Sequence, residues 1–170
     1  MATAALISEA EYLATSYRPD CELVDGQLIG RNVGEYDHSK LQGILIIWFG
    51  IRQDEWNIEV LPEQRIRVAP GRFRIPDICV ISRGQRPEAV FTEPPLLCIE
   101  VLSKDDTLRS MQERIDDYTA FGIPNIWVLD PVGRQAWVCN TGEFRKPEGG
   151  VLRAEPFIHI PLTDLFAKLG

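Results

Sequence analysis

No stretch of this sequence approaches the ~20 consecutive apolar residues that a membrane-spanning helix needs. Its first residues, MATAALISEAEYLATS, carry neither a basic start nor a continuous apolar run of the signal-peptide kind. A soluble, intracellular protein with no membrane partner, cytoplasmic by default, is the expectation. The four cysteines (Cys21, Cys79, Cys98, Cys139) are scattered without one CxxC pair, and there are only two histidines, His38 and His159. Zinc-finger spacing cannot be assembled from them. The cysteines read as reduced core residues, since free cysteine packs as a small hydrophobe. Lysine is scarce too, four against fourteen arginines, and basic residues as a whole are outnumbered 18 to 25, leaving a net charge of −7. That balance argues against tight nonspecific binding to nucleic acid, because counterion release needs a positive surface.

What is present is 45% hydrophobic residues in a chain of 170, enough to bury a core without disulfide or metal staples. With no repeat, linker or low-complexity tract, residues 1–170 read as a single domain. Charge is segregated along it. Residues 64–86 hold six arginines (Arg65, Arg67, Arg72, Arg74, Arg83, Arg86) against Asp77 alone, while residues 87–131 hold nine acids against three bases. Arginine suits phosphate through bidentate hydrogen bonds as well as charge. The competing reading is a solvated strand face that guards an edge from aggregation.

Ser8-x-x-Glu11 is a capping-box spacing that opens a short helix through about Ser16. Glu22-Leu-Val, Asp25-Gly26 and Gln27-Leu-Ile make a hairpin, because Asp-Gly supplies the positive φ angles of a tight primed turn. From Asp37 to about Arg52, Leu41, Ile44, Leu45, Trp48 and Ile51 recur at helical steps. Strand-like runs follow at Asn57–Leu61, Gln64–Val68, Arg72–Ile75, Asp77–Ser82 and Leu96–Leu102, with a turn at Ala69-Pro70-Gly71. A helix from about Thr107 to Phe121 ends at Gly122. Strands at Ile126–Leu129 and Gln135–Cys139, one or two weak strands and a terminal helix from about Thr163 complete the chain. Trp48, Trp127 and Trp137 sit in apolar patterns and read as core rather than as base-stacking platforms. The order α, several β, α, β, β predicts an α/β domain around a mixed sheet.

Glu100 stands out, as the one acid in Leu96-Leu97-Cys98-Ile99-Glu100-Val101-Leu102. Such a run is the pattern of a central strand covered on both faces. A lone carboxylate there costs several kcal/mol (order of magnitude) unless paired, protonated or metal-bound. Asp77, after Pro76, opens another strand, and the chain between them is long enough to return alongside. Two carboxylates on neighbouring strands, with backbone oxygens nearby, make a hard-cation site of the kind magnesium takes.

Pro76-Asp77 followed by Glu100-Val101-Leu102-Ser103 resembles the active-site signature of the PD-(D/E)XK nuclease superfamily, the restriction-endonuclease-like fold. The series Glu113-Arg114-Ile115-Asp116-Asp117-Tyr118, Phe121-Gly122-Ile123-Pro124 and Ile126-Trp127-Val128-Leu129-Asp130-Pro131 extends the likeness. With Glu22-Leu-Val-Asp25-Gly26 and His38 ahead of it, the whole resembles the Uma-two family of restriction endonucleases over roughly residues 20–140. The resemblance implies a central mixed sheet flanked by helices and a magnesium- or manganese-dependent endonuclease of DNA. Asp77, Glu100 and the Val101 carbonyl would hold the metal, and Glu22 would add a carboxylate. A homodimer is implied by cleaving relatives, and two-fold symmetry is also the commonest oligomer.

One position departs from the superfamily. A lysine belongs two residues after the glutamate, and this chain has Leu102. Some branches move the cation to the following helix, where this chain has Arg114, and Lys104 is a second candidate. Arginine stays protonated and so clamps phosphate rather than abstracting protons. His38 would contact substrate, and Arg65, Arg67, Arg72 and Arg74 would hold the DNA backbone. Each has a structural alternative: Asp77 merely starting a strand, Glu100 as a buried partner of Arg114, Arg114 paired with Asp117, Glu22 exposed beside its turn, and His38 capping a helix. The rival to the enzyme is a catalytically degenerate nuclease fold that binds DNA or protein.

Overall fold

A computed structural model of the chain describes residues 6–31 and 34–170. The first five residues of the N-terminal stretch read above lie outside that range. In chain order the elements are α1 (Glu9–Ala14), β1 (Cys21–Val24), β2 (Gln27–Gly30), α2 (Tyr36–Gly50), α3 (Gln53–Trp56), β3 (Ile58–Pro62), β4 (Ile66–Ala69), β5 (Arg72–Arg74) and β6 (Ile78–Ser82). They continue as β7 (Leu97–Val101), α4 (Leu108–Phe121), β8 (Ile126–Asp130), β9 (Gln135–Val138), a 3-10 turn, β10 (Val151–Ala154), β11 (Ile158–Pro161) and α5 (Leu162–Ala167). Among the described residues no helix is long and apolar enough to cross a membrane.

The caps match the residues that make them. Ser8 accepts a hydrogen bond from the Glu11 amide to start α1, Asp25 and Gly26 turn the first hairpin at φ 50° and 81°, and Gly122 closes α4 at φ 94°. The expected helix to Arg52 instead breaks after Gly50 into α2 and α3. At that corner the Arg52 guanidinium lies over Trp48 and Trp56, 4.7 and 5.6 Å from their ring centres, and donates to the Trp48 carbonyl.

The main sheet is mixed, in the order β3-β6-β7-β8-β9, with only β7 and β8 parallel. Side chains alternate across it. Ile78, Val80, Leu97, Ile99 and Val101 face Leu41, Leu45, Trp48 and Phe49 of α2, in a core that the β10-β11 hairpin and α5 extend. Cys79, Ile81, Cys98, Ile126 and Val128 face Met111, Ile115 and Tyr118 of α4. A second sheet, β2-β1-β5-β4, is antiparallel throughout and has a small core of Tyr12, Leu23 and Phe73. The strand-like runs between residues 57 and 82 are thus divided between two sheets, a division that pattern alone did not foretell.

All four cysteines are free, and Cys79, Cys98 and Cys139 are buried as expected, whereas Cys21 is half-buried. Trp48 and Trp127 are core residues. Trp137 is not: it is only half-buried and lines a hollow beside α4.

Candidate functional site

Strands β6 and β7 pair antiparallel with Cys79 opposite Cys98 and Ile78 opposite Ile99. One step further along that register sets Asp77 against Glu100, both on the α4 side of the sheet. The Val101 amide donates to Asp77 Oδ2 at 2.8 Å, tying the two strand ends together. Pro76 keeps the chain extended into Asp77 and withdraws its own amide from pairing. Asp77 is 5% exposed and Glu100 1%.

Asp77 is held from three sides. Arg31 Nη2 donates to Oδ1 at 2.8 Å, His38 Nε2 lies 3.3 Å from Oδ2, and Gln42 donates to the main-chain carbonyl at 3.0 Å. Arg31 also pairs with Glu63 at 3.2 Å. The hydrogen bond to the Asp77 carboxylate raises the His38 pKa, against the opposing effect of burial. The other ring nitrogen, Nδ1, is buried without a partner among the described residues.

Glu100 accepts a 2.5 Å hydrogen bond from the Tyr118 hydroxyl and faces Arg114 Nη1 at 3.5 Å. Tyr118 and Arg114 are four residues apart on α4, hence on one face of the helix. Burial pushes the Glu100 carboxyl up to about 8, with Asp77 and Glu22 adding like charge and Arg114 pulling the other way. Burial likewise raises the Tyr118 phenol. Arg114 is disfavoured by burial, yet Glu100 and Glu22 hold its pKa above the usual arginine value. Its guanidinium reaches Glu22 at 3.6 Å and Asp106 at 3.7 Å as well.

Glu22, expected on an exposed turn or in the site, is wholly buried. Its carboxylate accepts from Arg74 Nη1 at 2.8 Å and from the Ile75 amide at 2.9 Å. Asp106, past the end of β7, accepts from the amide and hydroxyl of Ser103, both at 2.8 Å. Arg31, His38, Asp77, Val101, Ser103, Asp106 and Arg114 line a small hollow of about 20 Å³. A hollow of this size holds about one water.

Two cations were candidates for the place of the missing lysine. Arg114 lies beside Glu100, as the helix-borne alternative required. Lys104 lies on the surface, pairs with Glu35 and contacts neither Asp77 nor Glu100. Leu102 packs against the α4-side core. The arginine stretch is largely engaged within the chain: Arg65 with Asp20, Arg67 with Glu9, and Arg72 with both Asp25 and Asp117. Arg74 is 2% exposed, sandwiched between Glu22 and Asp117, which takes its Nε at 2.7 Å. Asp117 therefore serves the arginines of β5 and not Arg114. Sequence reading missed Arg31, which nothing in its flanks distinguished, and the use of Asp106 and Tyr118. Tyr118 was legible only as part of an apolar helix face.

The Uma2 family, described as putative restriction endonucleases, matches residues 9–163. Among curated proteins none matches. The crystal structure of a putative nuclease belonging to DUF820 from Anabaena variabilis ATCC 29413 superposes with a TM-score of 0.82 at 21% identity, covering 96% of this chain and 99% of that one. A cryo-EM structure of a DrdV–DNA complex shares 17% identity over 78% of this chain and 13% of that one, with a TM-score of 0.41. With a family match spanning nearly the whole chain and a fold shared end to end with a nuclease-like structure, the chain belongs to the Uma2 family and has its restriction-endonuclease-like fold.

Proposed function

We propose that this chain is an endonuclease that hydrolyses phosphodiester bonds of DNA with a divalent cation, Mg²⁺ or Mn²⁺. The observation that carries the reading is the register of β6 and β7, which brings Asp77 and Glu100 together, nearly dry, beside the half-buried cation of Arg114. The donors suit such an ion: two carboxylates and the Val101 carbonyl are hard oxygen ligands. Among the described residues no three His, Cys, Asp or Glu side chains form a closed cage. Waters would complete the shell, as is usual for Mg²⁺. The strain of like charge on Glu100 is what a bound dication relieves. When bound, the ion supplies an activated water and polarises the phosphoryl oxygen.

The chain's own groups do the rest. Arg114 stays protonated and offers its guanidinium to the scissile phosphate, and Glu22 positions it from behind. His38 borders both the small hollow and a larger one of about 320 Å³ that includes Ser103 and Lys104, where it meets substrate. Lys104 and the partly exposed edges of Arg65, Arg67 and Arg72 steady the flanking backbone. Two copies arranged by two-fold symmetry would address two strands.

Two observations favour the degenerate, non-cleaving reading: Asp77 is already paired with Arg31, and Leu102 stands in place of the strand lysine. Calorimetric titration of Mn²⁺ separates the two. The enzyme reading expects binding that Glu100→Gln abolishes, and unchanged affinity in that variant contradicts it. Arg114→Ala should slow plasmid nicking while leaving Mn²⁺ affinity nearly intact, and adding Leu102→Lys to it should restore part of the rate.

A further inference from the structure

Next to the carboxylate centre, and sharing Asp106 with it, lies a larger hollow of about 310 Å³. Its walls are Leu102, Leu108, Met111, Trp137 and Phe144. Volumes near 300 Å³ are the lower end of sites that take small molecules. The polar groups at its rim are already satisfied inside the chain: Asp106 by Ser103 and Arg114, and the Thr107 hydroxyl by Ser110. An occupant must therefore present an apolar face to it and not a charge.

Of the four tryptophans Trp137 is the most open: Trp127 is sealed in the core, Trp56 and Trp48 are 5% and 8% exposed, and Trp137 on β9 is left half-open. Its ring meets Phe144 edge-on at 6.2 Å and 80°, which fixes both planes. Leu108, the first residue of α4, is 82% exposed, an apolar side chain held at the rim. Lys146 Nζ stands 4.1 Å from the centre of the Trp137 ring, bringing a cation to the aromatic pair. An aromatic, apolar hollow thus adjoins a small polar one with an arginine in it. The ligand that matches has a flat aromatic face at one end and a phosphate at the other.

We propose that this hollow receives one nucleobase, from the nucleotide beside the phosphate held at Arg114, with its face on one ring of the Trp137–Phe144 pair and its edge toward the other. The inference rests on the DNA reading above and deepens it, because a base can enter only when it is out of the helical stack. The substrate class is then single-stranded DNA, or duplex DNA at a mismatch, flap or flipped position, where unstacking costs least. Stacking of a base on an aromatic side chain is sequence-tolerant, since every base has a π-face.

The test compares a fluorescein-labelled twelve-residue oligothymidylate with an abasic strand of the same length and charge. Binding is read by anisotropy in Ca²⁺ buffer, so that affinity is measured apart from cleavage. The parent should prefer the strand with bases by about ten-fold or more. Trp137→Ala and Phe144→Ala should each erase most of that preference while leaving the abasic strand's affinity unchanged, and Trp137→Phe should retain part of it. A strand carrying 5-iododeoxyuridine should photo-crosslink to Trp137 or Phe144. If Trp137→Ala fails to fold by circular dichroism, Phe144→Ala and the cross-link decide. Equal affinity of the parent for the two strands, or a preference untouched by both substitutions with cross-links elsewhere, overturns the base pocket and leaves the endonuclease reading standing. A dimer that dissociates on Trp137→Ala, without any base preference, assigns the hollow to a second copy and also overturns it. Failure of the parent to bind either strand overturns both.

Discussion

In the five-stranded sheet a residue such as Trp127 has apolar neighbours from α2 and the flanking strands, whereas in the four-stranded sheet the equally hidden Arg74 has Glu22 on one edge and Asp117 on the other. The first sheet is covered on both faces by helices and a hairpin. The second has a small core of its own in Tyr12, Leu23 and Phe73, shares the α4-side core through Ile66 and Val68 of β4, and ties itself to α1 and α4 through Arg67–Glu9, Arg72–Asp117 and Arg74–Asp117. Apolar burial is non-directional and tolerates repacking. A buried ion pair fixes orientation, yet leaves a stranded charge when one partner is lost. The candidate site sits where the two regimes meet, taking Asp77 and Glu100 from the large sheet, Glu22 from the small one and Arg114 from α4.

The largest effect should come from the apolar side. Trp127→Ala should lower the unfolding free energy in urea by about 4 kcal/mol, the usual cost of emptying a large core position. Arg74→Met should cost about 3 kcal/mol, because it strands Glu22 without its closest cation. Adding Glu22→Leu should recover part of that loss, and a double variant less stable than Arg74→Met would break the comparison.

A smaller effect should run in the opposite direction. Without metal, folded Glu100 keeps its proton up to about pH 8, while in the unfolded chain it gives it up near its ordinary 4.5. Between those values the unfolded state binds fewer protons, so this group makes stability fall as pH rises from about 4.5 to about 8. Glu100→Gln should flatten that dependence in metal-free urea titrations and raise stability at pH 8 by at least about 1 kcal/mol. A parent whose stability rises across the window, with the variant unchanged, would count against it. The smallest effect is expected for Arg109→Ala, which removes the exposed Arg109–Glu113 pair and should change stability by less than about 0.5 kcal/mol.

How much of this was legible in the sequence follows the same division. Elements of the large sheet announced themselves, since β7 is a continuous apolar run broken by one acid and α4 ends at a glycine in the left-handed region. Glu100 could be picked out for that reason, a charge being conspicuous against an apolar pattern, whereas Asp77 was found at a strand start behind Pro76 and Arg114 through the family resemblance. The small sheet was harder. Its arginines read as surface because periodicity carries no information on which acid will meet which base, and Asp117 was matched to Arg114 by spacing along the helix when its partners come from β5. Arg31 reaches Asp77 from far along the chain, and no local signal encodes such a meeting. Trp137 was read as core from an apolar pattern that is the same whether the neighbouring side is filled or hollow.

The most direct test of the central claim is plasmid nicking in Mn²⁺ by the parent and by Asp77→Asn, with folding of both checked by urea titration. Nicking by the parent should be lost, by at least about a hundredfold, when the Asp77 carboxylate becomes an amide, because one of the two carboxylates proposed to hold the metal would be gone. Nicking by Asp77→Asn at the parent's rate, or no nicking by the parent in either Mg²⁺ or Mn²⁺, would contradict it.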